Sequence, residues 1–123
     1  SVMSQAKVSD AGEFDFSRLL EGTDDNMHML SLVVDESRKE LEDLESALKD
    51  DNREVMRKTI HRMIPVWEML GKEYLLRDFQ ERLHDMDSSD EFICEHAIQI
   101  IEWVKKLIEE TEKELRKYEN SDC

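Results

Sequence analysis

Apolar residues recur along most of this chain at intervals of three and four positions, which is the period of an amphipathic α-helix. The first such seam runs from Met27 to Leu48, and comparable seams begin at Val55, Leu75 and Ile93. Clusters of Asp, Asn and Ser separate the seams, and these residue types cap helix N-termini. The pattern therefore predicts helices near residues 26–49, 53–70, 72–86 and 90–119.

The seams also supply the predicted core. Its members are Met27, Leu30, Val34, Ser37, Leu41, Leu44, Ala47, Leu48, Val55, Thr59, Met63, Val66, Leu70, Leu75, Leu76, Phe79, Leu83, Met86, Ile93, Ala97, Ile100, Val104, Leu107, Thr111, Leu115 and Tyr118. Four long amphipathic helices with short connections bury such seams by packing antiparallel. A shorter apolar cluster from Phe14 to Leu20 ends at Gly22 and predicts a helix of one or two turns.

The predicted fold is therefore all-α, an antiparallel up-down four-helix bundle with a short N-terminal capping helix. We assign residues 1–13 to a linker or tail, residues 14–119 to the bundle and residues 120–123 to a C-terminal tail. The scarcity of turn residues, with three Gly and one Pro, agrees with a class that has few tight turns.

Composition and charge narrow the possible functions. The chain has 123 residues, with 31 acidic against 17 basic side chains and a net charge of −14. Binding to nucleic acid or to an anionic membrane surface needs the opposite charge. The longest apolar runs are far shorter than the ~20 residues that a membrane-spanning helix needs. Cys94 and Cys123 lie far apart and form no metal or disulfide motif. A cytoplasmic domain is expected.

His61 is the residue with the clearest chemical potential. Thr59 and Met63 belong to the core seam and lie two positions from His61, about 200° around a helix. His61 should therefore point into solvent. Residues 52–67 carry Arg53, Arg57, Lys58 and Arg62 against Glu54, a local charge of 4 − 1 = +3 in an acidic chain.

An exposed imidazole among cations suits an anion, and phosphate is the obvious candidate. The same cations disfavour protonation of the imidazole, which leaves a neutral nitrogen as a nucleophile. Ile64 and Pro65 add an apolar rim, and Glu68 lies one turn beyond them, so this face suits docking to another protein. From the residues alone, a charged helix face with an incidental His remains an equal alternative.

The chain resembles histidine-containing phosphotransfer (HPt) domains in the predicted helix that carries His61 and in the helix before it. The family pattern is L-x-x-L-x-x-A-L followed by H-x-L-K-G-[SA]-x-x-x-x-G, and its His is the phosphoacceptor. The matching residues here are Leu41, Leu44, Ala47, Leu48, Asp51, Val55, Thr59, His61, Met63 and Gly71. The resemblance covers residues 14–118. It departs from the pattern at Ile64 and Pro65, where the family has Lys and Gly.

The resemblance implies a phosphorelay intermediate. His61 would accept a phosphoryl group from an aspartyl phosphate on a response-regulator receiver domain and pass it to another receiver. Arg57, Lys58 and Arg62 would replace the missing Lys, Ile64, Pro65 and Glu68 would dock the receiver, and Gly71 would be structural. The Mg²⁺ would belong to the receiver, so no cofactor or metal is expected on this chain. An isolated domain of this kind is expected to be monomeric.

The resemblance also suggests a place in a longer protein. The polar N-terminal stretch is similar to an interdomain linker, and the chain begins at Ser1, so we expect a fragment of a hybrid sensor histidine kinase. Such a parent would tether the domain to the inner face of the membrane. The chain has no Gly-rich phosphate loop, so neither ATP binding nor autophosphorylation is expected.

Two other functions stay open. A helical interaction module could dock receiver domains without accepting phosphate. A generic helical bundle could instead form a homodimer through apolar residues taken as exposed, namely Met29, Val33, Ile60 and Ile64. The single Glu81-x-x-His84 pair does not make a di-iron site, because such sites need two copies and further glutamates. His28 and His96 are interpreted as surface or partly buried side chains.

Overall fold

The computed structural model describes residues 11–85 and 88–121, and over this part of the chain the fold is all-helical, with no strand. Its five helices are α1 (Ser17–Glu21), α2 (Asn26–Lys49), α3 (Arg53–Met69), α4 (Tyr74–His84) and α5 (Asp90–Ser121). The all-α prediction and the four long helices are confirmed, with ends within about two residues of the predicted ones. Met86, the predicted end of the third long helix, lies outside the described residues.

Polar side chains fix the starts of the two helices that build the candidate site. The Asp25 carboxylate accepts a hydrogen bond of 3.0 Å from the backbone N–H of His28 at the start of α2. The Asn52 side chain accepts one of 3.1 Å from the N–H of Val55 at the start of α3. Each satisfies a backbone donor that has no partner within its helix.

Left-handed residues end α2 and α3. Asp51 has a φ of 52°, and the next residue, Asn52, donates its N–H to the carbonyl of Ala47 over 2.8 Å. Gly71 has a φ of 72°, and Lys72 donates its N–H to the carbonyl of Trp67, also over 2.8 Å. This six-to-one hydrogen bond is the usual closure of a helix by a left-handed residue, for which glycine is best suited. Gly71 therefore sharply separates α3 from α4.

The helices pack around one core. α2 lies against both α3 and α5, α4 contacts the same two helices, and α1 contacts α3. The largest fully buried side chains are Trp67, Phe79, Leu30, Leu44, Met56, Ile60, Met63, Leu76, Ile93, Ile100, Leu107 and Val104. Thr59 and Thr111 are also buried, and each hydroxyl donates to the carbonyl four residues earlier in its own helix.

The inner face of α3 differs from the predicted seam. Met56, Ile60 and Trp67 are at most 1% exposed, whereas Val55 and Val66 are only partly buried. Thr59 and Met63 lie in the core as predicted. Apolar residues cover a wide arc of the helix, and contact with α1, α2 and α4 selects which part of that arc faces inward.

The segment before α1 packs onto the helices. Phe14 is buried and meets the Trp67 ring edge-on, with 5.5 Å between ring centroids. Its backbone N–H donates to a carboxylate oxygen of Glu110 in α5 over 3.0 Å, and the Lys72 ammonium donates to the carbonyl of Ala11. Residues 11–14 therefore connect the α3–α4 turn to α5. Residues 1–10 of the predicted linker lie outside the described part, as do residues 122–123 of the predicted C-terminal tail.

Candidate functional site

His61 lies near the middle of α3, on the side of the helix that faces away from the core. The residue before it, Ile60, is fully buried, and Met63 is 1% exposed, whereas the His61 side chain is exposed. This agrees with the geometry predicted from the seam. An exposed imidazole on a regular helix can be approached by a second protein without any change in the helix.

The face around His61 is basic on one side and apolar on the other. Arg57 and Lys58 precede His61 by one turn, and Ile64 and Pro65 follow it by one turn. Ile64 is half-buried and Pro65 is exposed. The helix runs through Pro65 without interruption. In an α-helix, the N–H of each residue normally donates to the carbonyl four positions earlier. Because proline has no N–H, Pro65 cannot donate to the carbonyl of His61.

Arg57 is held by a carboxylate on its own helix. Its guanidinium donates two hydrogen bonds to Glu54, of 2.5 Å from Nη2 and 3.1 Å from Nε. This two-point geometry is specific to arginine. The same hydrogen bonds lower the pKa of Glu54 and raise that of Arg57. The positive charge of Arg57 on the His61 face is therefore already paired with the carboxylate of Glu54.

Arg62 is directed towards α2. Its Nη2 lies 2.7 Å from Oδ2 of Asp43. Together with Glu36, Lys39 and Glu40 of α2, it lines a cleft of about 300 Å³ between the two helices. The structure thus places the Arg62 guanidinium beside acidic side chains of α2, although Arg62 directly follows His61 in the sequence.

Glu40 is the most strongly perturbed acid of this cleft. Its pKa is raised from 4.5 to about 7, chiefly by burial and also by the negative charge of Glu36, while Arg62 opposes the rise and Asp43 adds to it. The positive charge of Arg62 therefore acts on the carboxylates of both Asp43 and Glu40, and its short contact is with Asp43. The negative charge of an ionised Glu40 is therefore only partly compensated by Arg62, close to the candidate site.

Lys58 differs from the other cations near His61. It is exposed, and within residues 11–85 and 88–121 the structure gives it no ion pair. Arg53, the fourth predicted cation, pairs with Asp90 over 2.7 Å and donates to the carbonyl of Ser88 over 2.8 Å. Of the four predicted cations, the three arginines are therefore paired with Asp90, Glu54 and Asp43, and Lys58 remains.

The predicted docking residues lie along one face of α3. Pro65 and Glu68 are exposed, and Met69 at the end of the helix is 45% exposed. Glu68 lies 3.7 Å from the Arg77 guanidinium of α4. An apolar patch beside a charged rim is thus present on the His61 side of the helix.

The set of residues considered for homodimer formation is wrong in part. Val33 is 3% exposed and Ile60 is fully buried, so neither is available to a partner. Met29 and Ile64 are partly buried and pack against the core. These residues were expected to be exposed because they lie beside the predicted apolar seams. The buried faces of α2 and α3 are wider than those seams and include Val33 and Ile60.

The other histidines have different surroundings. His28 and His84 are exposed. His96 is half-buried against the Phe79 ring, with 4.8 Å between centroids, and burial lowers its pKa. Within the described part of the chain, no group of three or more His, Cys, Asp or Glu side chains is placed to hold a metal ion.

Sequence reasoning missed the acidic partners of the site. The Glu54–Arg57 pair has the three-residue spacing of helical neighbours and could have been found from the sequence. The Asp43–Arg62 pair joins residues 19 positions apart on two helices, so it depends on their register.

Comparisons with known proteins give no match to this chain, neither with a family model nor with a curated protein or a solved structure. None of the helices in residues 11–85 and 88–121 combines the length and the apolar character needed to cross a membrane.

Proposed function

We propose that this chain is a histidine-containing phosphotransfer domain in which His61 carries the phosphoryl group of a phosphorelay. The observation that carries the proposal is the exposure of His61 midway along α3, with basic residues one turn before it and apolar residues one turn after it. A carrier must present its nucleophile to partner proteins, and this position does so. The proposal is also supported by the resemblance to the HPt sequence pattern, which lies in the helix that carries His61 and in the segment from Leu41 to Leu48.

The fold proposed for this function is an antiparallel up-down four-helix bundle made by α2 to α5, with α1 as a cap. The contacts of α2 with α3 and α5, and of α4 with the same two helices, are those expected of such a bundle. The bundle would serve as a rigid support that holds His61 on its outer surface.

In the proposed reaction, a receiver domain presents an aspartyl phosphate and its own Mg²⁺. The lone pair of the His61 Nε2 attacks phosphorus in line, the N–P bond forms, and the P–O bond to the aspartate breaks with its electron pair left on the carboxylate. The Nδ1 proton leaves the ring to water, and the transfer is reversible. The domain contributes position and charge, which is most of what phosphoryl transfer asks of a protein.

The remaining residues of the face have supporting roles in this proposal. Ile64, Pro65 and Glu68 would contact the receiver, and the three basic residues Arg57, Lys58 and Arg62 would make the surrounding surface positive. The domain would act in the cytoplasm as part of a membrane-tethered hybrid histidine kinase. Gly71 would keep α3 short enough for α4 to fold back.

The proposal is tested by transfer from a phosphorylated receiver. A panel of receiver domains is loaded with radiolabelled phosphate from acetyl phosphate and Mg²⁺, freed of the donor and mixed with this chain. We expect label on the chain that is acid-labile and base-stable, as an N–P bond is, and no label on His61→Gln. Label on His61→Gln equal to wild type would place the phosphoacceptor elsewhere.

Docking is tested separately with Pro65→Glu. This change adds bulk and negative charge to the exposed face while restoring the helical N–H, so we expect it to reduce receiver binding without loss of stability. His28→Gln is a matched control, since that histidine is exposed on a different helix.

A module that binds receivers without accepting phosphate is the second candidate. The engagement of Arg57 by Glu54 and of Arg62 by Asp43 favours it, because these pairs reduce the charge available to a phosphoryl group. Binding of receivers to the chain with no transfer of label would select this candidate.

A further inference from the structure

The cations near His61 differ in what they already bind, and this difference decides which of them is free to contact phosphate. Arg57 donates two hydrogen bonds to Glu54, and Arg62 lies 2.7 Å from Asp43 across the α2–α3 cleft. Either guanidinium must give up a carboxylate before it can bind another anion. Lys58 makes no hydrogen bond or ion pair within residues 11–85 and 88–121, and its charge acts on Glu54 without direct contact.

Helix geometry also favours Lys58. Side chains three and four positions apart are neighbours on a helix, with about 5–6 Å between their Cβ atoms, whereas adjacent residues do not face each other. Lys58 and Arg57 satisfy this relation with His61, and Arg62 does not. Helical side chains also lean towards the N-terminus, so the imidazole of His61 covers the turn that contains Lys58.

We infer that Lys58 contacts the phosphoryl group once His61 carries it, an inference that rests on the proposed function. Arg57 and Arg62 are instead structural cations, held by carboxylates of the same chain. The contact is a charge-assisted hydrogen bond from the ammonium to a phosphoryl oxygen, and it stabilises the charge that spreads over those oxygens during transfer. The HPt pattern places its lysine after the histidine, whereas this chain places it one turn before.

The test uses phosphoramidate, which phosphorylates imidazoles directly. The His61 Nε2 attacks phosphorus of the reagent in its N-protonated form, the P–N bond breaks, ammonia leaves with the electron pair, and the Nδ1 proton of the ring passes to water. All proteins carry His28→Gln and His84→Gln, so that His61 is the exposed imidazole that remains. The initial rate of phosphohistidine formation is followed by ³¹P NMR, and thermal unfolding checks each variant.

Single substitutions rank the three cations. Lys58→Gln should slow phosphorylation about three- to fivefold, the factor that corresponds to a surface ion pair, and Lys58→Arg should restore most of the rate. Arg57→Gln and Arg62→Gln should each change the rate by less than about twofold. A wild-type rate in Lys58→Gln, or an equal loss in all three variants, would overturn the inference.

A paired experiment tests the reason for the ranking. Glu54 and Glu68 lie seven residues before and seven residues after His61, about 10 Å along the helix in each direction. Glu54→Gln frees Arg57 on the His61 face, whereas Glu68→Gln removes the same charge and frees Arg77 on α4. Glu54→Gln should therefore restore the rate of Lys58→Gln to within about twofold of wild type.

Glu68→Gln in the same background should not restore the rate. If the two substitutions rescue Lys58→Gln equally, the effect is one of net charge and the inference is wrong. Failure of the proposed function can be distinguished from failure of the Lys58 inference, because phosphoramidate needs no receiver. If phosphoramidate phosphorylation depends on Lys58 as predicted but no receiver transfers phosphate to the chain, only the proposed relay function is contradicted. Receivers that transfer to every variant at one rate contradict the Lys58 inference alone.

Discussion

Replacing Glu40 with Gln should stabilise the protein at alkaline pH and leave it almost unchanged at acidic pH. The folded state raises the pKa of Glu40 from 4.5 to about 7, chiefly through burial, with Glu36 and Asp43 adding to the effect and Arg62 opposing it. A group with a raised pKa contributes stability that is full below about pH 4.5 and is lost as the pH rises through about 7.

The size of the effect follows from that change. At 1.36 kcal/mol per pH unit, a rise from 4.5 to about 7 corresponds to about 3 kcal/mol. The carboxyl remains partly in contact with solvent, which screens the interaction, so we expect about 1–2 kcal/mol. Glu40→Gln should therefore raise the free energy of unfolding by about 1–2 kcal/mol at pH 8 and by less than about 0.5 kcal/mol at pH 5.

The assay is urea unfolding followed by circular dichroism at the two pH values. Glu45→Gln is the control for the loss of one negative charge, because Glu45 is exposed on the same helix. Arg62→Gln should shift the balance the other way, with a greater loss of stability at pH 8 than at pH 5. A difference between Glu40→Gln and wild type that does not change with pH would show that the Glu40 carboxyl does not destabilise the folded protein when it ionises.

Three further outcomes follow from the fold and are checked by the same unfolding assay. Gly71→Ala should cost about 1 kcal/mol because of its positive φ of 72°, whereas Gly22→Ala, at a φ of −87°, should not destabilise; equal effects would contradict this. Phe14→Ala should cost about 3 kcal/mol or more, since the ring is buried against Trp67, and a loss below about 1 kcal/mol would contradict that packing. Burial lowers the pKa of His96, so wild type should lose stability relative to His96→Gln as the pH falls below about 6.5, and a constant difference would contradict it.

The limits of the helices could be predicted from the sequence because local signals set them. Asp25 and Asn52 cap α2 and α3 through their own side chains, and Gly71 adopts the left-handed conformation that ends α3. The exposure of His61 was also predictable, since the core residues Thr59 and Met63 lie opposite to it on the helix. These features depend on neighbours in sequence, and no knowledge of packing is needed.

Features that depend on packing could not be predicted in the same way. Apolar residues cover a wide arc of α3, and only contact with other helices decides that Ile60 and Trp67 face inward more fully than Val55. The position of Arg62 beside Asp43 depends on the register of α2 against α3. The sequence therefore identified the cations of the site, whereas the structure showed which of them are already paired.

The most direct test of the relay is to observe the phosphorylated nitrogen itself. The chain is labelled with ¹⁵N in its histidine rings and mixed with a phosphorylated receiver domain, and long-range ¹H–¹⁵N correlation spectra are recorded over time. We expect the Nε2 resonance of His61 alone to shift and to gain a coupling to phosphorus, while the rings of His28, His84 and His96 keep their resonances. Binding of the receiver with no coupling at His61, or a coupling at another histidine, would contradict this expectation.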